Sequence, residues 1–316
     1  MKPVTRSTFL LALILSVPAI ACAQGFTQVD FPSSVRTTLQ AINRDGDVAG
    51  EFTLRGGQNL GFTLNSIGIY RTVSYPDAIA TQVTGLNLHD SVSGSYQADT
   101  DRYHGFRVRR GELTALDMDG AVQTQTWALN DRSDAVGEYE DEAGRRRGFM
   151  LRIATYRPID FPGATETIAR DVNNFGHIVG SFRGNDGVMH GFQYIDEEFI
   201  QVDMPGADQT FVTGINSDDD LVGGFSDDSG DHAFLYRDGV YARFGFPQAV
   251  ATTATDINDG GDIVGFFEDS RGATHGFIVE GLITQEEARI RDEERAAAEA
   301  RGAQEAREAL EQPPEC

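Results

Sequence analysis

The chain has 316 residues, with 26 Lys+Arg against 49 Asp+Glu for a formal charge of −23, and its only lysine is Lys2. Neutralising phosphates takes clustered basic residues, so this balance excludes nucleic acid as the main partner. The lack of lysine elsewhere removes Schiff-base, pyridoxal-phosphate and P-loop chemistry together.

Residues 1–23 have the three parts of an export signal: Lys2 and Arg6, an apolar run from Phe9 to Ala21, and Ala21-Cys22-Ala23 before Gln24. The run is too short to span a bilayer, so no transmembrane helix is expected. Cleavage after Ala23 would leave Cys316 as the only thiol, and no internal disulfide could form in the oxidising compartment beyond the membrane. The alternative is a lipid anchor on Cys22, since Ala19-Ile20-Ala21-Cys22 approximates a lipobox without its usual leucine.

From residue 24 to 280 one pattern recurs. An apolar-Asn pair stands at Asn43, Asn87, Asn130, Asn173, Asn216 and Asn258, at spacings of 44, 43, 43, 43 and 42 residues. Seven residues after each Asn is a glycine, Gly50, Gly94, Gly137, Gly180, Gly223 or Gly265. A phenylalanine follows 11 or 12 residues later, from Phe62 to Phe277, and an apolar residue such as Phe31 or Phe161 precedes each Asn by 12. Each landmark sits in a run with strand character, as in Thr252 to Ile257, Asp262 to Phe267 and His275 to Val279, with Val240 to Phe246 before them. Four strands in about 43 residues leave no room for a helix and match one blade of a propeller. Phe26 to Phe31 is a fourth-type strand with no blade of its own, while the last copy lacks one. The reading is therefore all-β: a six-bladed β-propeller of 24 strands closed by an N-terminal strand, with six separate sheets. The Asn suits a tight turn, and the mid-strand glycine marks a bulge or a close approach at a crowded blade interface.

The residues resemble the bacterial extracellular HAF repeats. His232-Ala233-Phe234 is that signature, His104-Gly105-Phe106, His190-Gly191-Phe192 and His275-Gly276-Phe277 are relatives of it, and Asp160-Phe161-Pro162-Gly163-Ala164 and Asp203-Met204-Pro205-Gly206-Ala207 match the end of the unit. Leu60 and Arg147 depart from the histidine. The resemblance implies a secreted, propeller-like protein and carries no assigned activity.

The four histidines are read as structural hydrogen-bonding groups rather than metal ligands, because the third strand lies away from the axis and Leu60 and Arg147 break the set; His89 and His177 are read as exposed loop residues. The Asp-rich turns Asp256 to Asp262 and Ser217 to Asp220 offer oxygens to calcium, but their spacing misses a calcium-binding loop and turn formation explains them. Ser226 to Ala233 follows an Asp-box skeleton with Ala233 in place of its tryptophan. There is no Gly-x-Ser-x-Gly, His-Glu-x-x-His or Cys-x-x-Cys, so no catalytic residue, metal or cofactor is assigned.

Ligand-binding residues are sought where the repeat is broken near the axis. Three before the Asn the copies read Gln40, Thr84, Trp127, Arg170, Thr213 and Thr255; two before it, Ala41, Gly85, Ala128, Asp171, Gly214 and Asp256. Trp127, Arg170, Asp171 and Asp256 stand out as candidates. Thr37, Thr81, Thr124, Thr167, Thr210 and Thr252 obey the repeat and are read as structural.

Residues 281–316 turn to Glu, Arg and Ala, with Glu287 and Arg291 spaced for one helical face, and read as a short acidic helix whose Cys316 could cross-link two chains. Together these features predict a secreted or periplasmic binding or interaction module for a protein or glycan ligand of unknown identity. A carbohydrate-active hydrolase or lyase, with its site at the central channel mouth, is the alternative.

Overall fold

The computed structural model describes residues 25–98 and 102–281. The export signal, Cys22, Cys316 and the acidic helix expected beyond Gly281 lie outside the described residues. Within them the chain is an all-β propeller of 24 strands with no helix, and so no helix long and apolar enough to cross a membrane.

Each innermost strand ends at one of the recurring asparagines: Arg36–Ile42, Ala80–Leu86, Gln123–Leu129, Glu166–Val172, Gln209–Ile215 and Ala251–Ile257. These strands touch in sequence order, and the sixth touches the first. The first strand of the chain, Phe26–Val29, pairs antiparallel with the last, Thr274–Val279, matching Phe26 to Val279. The expected outer strands stop early, at Val29 and Phe244 rather than Phe31 and Phe246. There the backbone leaves the ladder: Phe31 N donates to Thr37 Oγ1 and Phe246 N to Thr252 Oγ1, each at 3.0 Å. The other four repeat threonines accept the equivalent bond.

Hydrogen bonding does not give six separate sheets. Four four-stranded blades stand alone, and the strands from Arg36 to Ala115 form one eight-stranded sheet. A single parallel bridge, Asn59 with Ala80, makes that merger by tying a third strand to the next inner strand.

The core is built from the repeat's aromatics. Phe62, Phe106, Phe149, Phe192, Phe234 and Phe277 are fully buried, and truncating a phenylalanine in such a position typically costs about 3–5 kcal/mol. The apolar landmark before each Asn stacks on a second-strand ring in four copies, with centroids at 3.6 Å for Phe31 and Phe52, 3.5 Å for Tyr75 and Tyr96, 3.6 Å for Phe161 and Phe182, and 3.7 Å for Phe246 and Phe267.

The histidines of the signature face the aspartate of the Asp-Phe-Pro segment. His190 Nδ1 lies 2.8 Å from Asp203 Oδ2, His104 Nδ1 3.1 Å from Asp117 Oδ2, and His275 Nδ1 3.0 Å from Asp30 Oδ2. Arg147 takes the same place, donating to Asp160 at 2.7 Å. His232, whose copy carries Gly245 where the other histidine and arginine copies have aspartate, turns instead to Asp227 and Arg243. His177 is not the exposed loop residue expected: half-buried, it sits 2.7 Å from Asp219 of the neighbouring copy. His89 is exposed.

Six asparagines join the inner strands into a ring. Each Oδ1 accepts two backbone N–H groups of its own turn, as Asn130 does from Arg132 and Asp134 at 3.0 Å. Each Nδ2 donates to the carbonyl of the next asparagine, from Asn43 to Asn87 and onward to Asn258, which returns to Asn43.

Candidate functional site

Every inner strand carries a bulge at one position. The register slips across Gln40, Thr84, Trp127, Arg170, Thr213 and Thr255, so each is an extra residue facing no partner on the second strand. A bulge re-aims its side chain, and these six positions turn toward the axis. The bulge also explains the mid-strand glycine. A Cβ on Gly180 would overlap the carbonyl oxygen of Ile168, and the other five glycines meet the equivalent carbonyl. The close approach is thus made inside each sheet, and not at the blade interface as expected.

Three of the bulge residues are consumed by the ring. Thr84 Oγ1 donates to Thr126 O at 2.8 Å, Thr213 Oγ1 to Ala254 O at 2.9 Å, and Thr255 Oγ1 to Leu39 O at 3.0 Å. Trp127 and Arg170 have a different arrangement. The Arg170 guanidinium lies 3.8 Å from the centroid of the Trp127 ring, a stacked cation–π contact. Among the described residues it makes no ion pair and no hydrogen bond. Trp127 Nε1 and Glu138 Oε2 are buried near each other without a hydrogen bond of ordinary length. The other Glu138 oxygen is 3.4 Å from Arg146. Burial raises the Glu138 pKa, with Arg146 and Arg170 opposing, and burial lowers that of Arg170, with Glu138 opposing.

The next position is small in four copies because the strands crowd. A Cβ on Gly214 would come within 2.7 Å of the Asp256 Cα. That glycine separates Asp171 from Asp256 in the ring and lets their carboxyls interact directly. Asp171 accepts from Val172 N at 2.7 Å and Ile215 N at 2.8 Å; Asp256 accepts from Ile257 N at 2.7 Å and Ile42 N at 2.8 Å. Each therefore staples its strand to the next copy along the ring that presents an amide there. Burial pushes Asp171 up to about 6, while burial and the neighbouring Asp171 raise Asp256 well above the usual carboxylate range.

Around the axis lies a cavity of about 320 Å³, on the side away from the asparagine turns, with all four sequence candidates on its wall. A smaller one of about 80 Å³ lies among the turns, and Asp171 and Asp256 border both, forming the partition. Glu51 also lines the larger cavity, held by Asn59 at 2.8 Å and Arg36 at 3.2 Å. Sequence reasoning missed Glu51 and Glu138. Both occupy the position after the mid-strand glycine, where other copies carry Ser95, Ser181, Gly224 and Phe266, so the same search for broken repeats would have found them. In the Asp-rich turns the carboxylates have protein partners: Asp220 takes Arg237 at 2.8 Å and Asp259 takes Arg44 at 2.6 Å.

No family model matches the chain, and no curated protein matches it either. Solved structures do. An arginine-substituted variant of AofleA from Arthrobotrys oligospora aligns with a TM-score of 0.54 at 13% identity, over 82% of this chain and 88% of that one. A variant of the Aleuria aurantia lectin in complex with Fucalpha1-6GlcNAc aligns with a TM-score of 0.50 at 8% identity, over 80% and 93%. At such identities the likeness is one of fold.

Proposed function

We propose that this chain is an exported six-bladed β-propeller of the HAF-repeat kind, acting as a binding module that takes a small ligand in the 320 Å³ axial cavity. Counting the eight-stranded sheet as two blades joined at one bridge gives the six, and the cyclic asparagine bonds support that count. Export rests on the signal-like residues 1–23.

One observation carries the binding reading: Arg170 presents a guanidinium to the cavity, stacked on Trp127, with no protein acceptor. Half-buried and without an ion-pair partner, Arg170 leaves a charge uncompensated, whereas threonine at the same position in three other copies closes the ring without that cost. A ligand that accepts from Arg170 repairs the deficit. The Aleuria lectin, a propeller of comparable shape, is seen with a disaccharide, which supports a glycan of similar size. The hydrolase or lyase alternative is less well served. Glycoside hydrolysis places its carboxyls roughly 5–10 Å apart, and Asp171 and Asp256 are in contact, with each of their oxygens already accepting a backbone N–H.

A glycan array probed with the wild-type chain, R170A and W127A tests this reading. A retained glycan whose signal is lost in both variants, at unchanged melting temperature, supports it; retention by both variants overturns the site.

A further inference from the structure

The cavity wall carries one strong donor group without a protein acceptor. Its carboxylates are occupied: Glu51 by Arg36, Thr38 and Asn59, and Asp171 and Asp256 by backbone amides on each oxygen. Its threonine hydroxyls Thr84, Thr213 and Thr255 have given their protons to the next strand. The donors of Arg170 remain, in the planar fork that matches a carboxylate in two parallel bonds. The threonine oxygens keep lone pairs that can accept from a ligand's hydroxyls, so the group still without a counterpart is the guanidinium, whose complement is an anion.

Resting on the binding-module reading, we propose that the cavity takes a small carboxylate of the sugar-acid class, its carboxylate clamped by Arg170 and its ring hydroxyls meeting the amides of Gln40 and Gln82. Three further observations fit. The cavity, about 320 Å³, suits one sugar ring with its substituents and not an extended chain. Arg170, half-buried on the cavity wall, carries a charge that no described residue pairs within salt-bridge distance, so an anion entering there meets an available cation. The acid pair on the partition resists ionisation, which lessens the repulsion an anion would meet.

The test is a calorimetric titration of the full chain with D-galacturonate and D-glucuronate, each against its neutral hexose, D-galactose or D-glucose, and against the methyl ester of the uronate. At least one uronate is expected to bind, with its hexose and its ester each weaker by about tenfold or more, the scale of one lost charge-assisted pair. R170Q should lose a similar factor and R170K should fall between, because it keeps the charge without the fork. The ester comparison uses wild-type protein alone, so it decides the matter even where R170Q misfolds. Equal binding of uronate and ester, or of uronate and hexose, overturns the carboxylate inference while leaving the binding module standing. Binding by neither acids nor hexoses at millimolar concentration also overturns it, and the glycan array then judges the module separately.

Discussion

Asn258 donates its side-chain Nδ2 to the carbonyl oxygen of Asn43 at 3.1 Å, joining the last copy of the repeat to the first across 215 residues of chain. The bond completes a cycle in which the same amide also organises its own turn, accepting from Gly260 N and Asp262 N at 2.9 Å. Asn258→Ala removes these three bonds and a fourth, from Nδ2 to Asp262 Oδ2 at 3.1 Å. At about 1 kcal/mol for each, a loss of about 2–4 kcal/mol is expected in chemical unfolding. Asn258→Asp keeps the turn acceptors, loses both donations and sets a carboxylate against Asp262, so it should lose less than alanine only if the turn bonds outweigh that repulsion.

Two adjacent glycines should behave in opposite ways. A Cβ on Gly223 would overlap the Phe211 carbonyl oxygen, fixed by the bulge, whereas one on Gly224 finds nothing nearer than the His232 carbonyl at 3.5 Å. Gly223→Ala should cost about 3 kcal/mol through overpacking against backbone. Gly224→Ala should be neutral or stabilise by up to about 1 kcal/mol by restricting the unfolded chain. Equal effects in thermal melts would refute the bulge as the reason for the glycine.

The strands were legible because four landmarks in phase specify one blade whatever its neighbours do. The asparagine was legible only as a turn residue: the bond from Asn87 to Asn130 O is made 43 residues away, beyond what local pattern reports. The His190 and Asp203 contact had a signal that went unused. Where Leu60 replaces histidine, Ser74 replaces the aspartate, and only His232, opposite Gly245, keeps a basic residue without that aspartate. The four site candidates came from departures from the repeat, and all reached one cavity because the bulge recurs at one level of every inner strand. The merged eight-stranded sheet was not legible, since one bridge at Asn59 depends on how closely two blades approach.

The Pro-Gly turn supplies a backbone test. Gly163 and Gly206 take φ of 80° and 83°, and the equivalent residues Ser33, Asp77 and Gln248 are held at 66°, 61° and 65°. Gln248 has neither the missing Cβ nor the short polar side chain that eases this region. Gln248→Gly should therefore stabilise by up to about 1 kcal/mol, the left-handed strain relieved less the entropy that glycine adds to the unfolded chain. Gly206→Ala should destabilise by about 1 kcal/mol. A melting temperature that falls for Gln248→Gly would show that the turn is not strained.

The acid pair sets a pH dependence with a definite sign. Asp171 ionises at about 6 in the fold against an ordinary 3.8, and Asp256 is raised as well. Between those values the folded chain holds protons that the unfolded chain has released, so stability falls as pH rises. A two-unit shift corresponds to at most about 3 kcal/mol, and less here because the channel admits water. Asp141 and Asp227, each held down to about 2 by hydrogen bonds, act in the opposite direction only at more acid pH. Melting temperatures from about pH 4 to pH 7 should therefore decline more steeply in the wild type than in Asp256→Asn. The variant loses one backbone hydrogen bond at every pH, so its whole curve is lowered, but its slope should be flatter. Parallel curves would mean that the fold does not raise Asp256 and that it contributes nothing to the pH dependence.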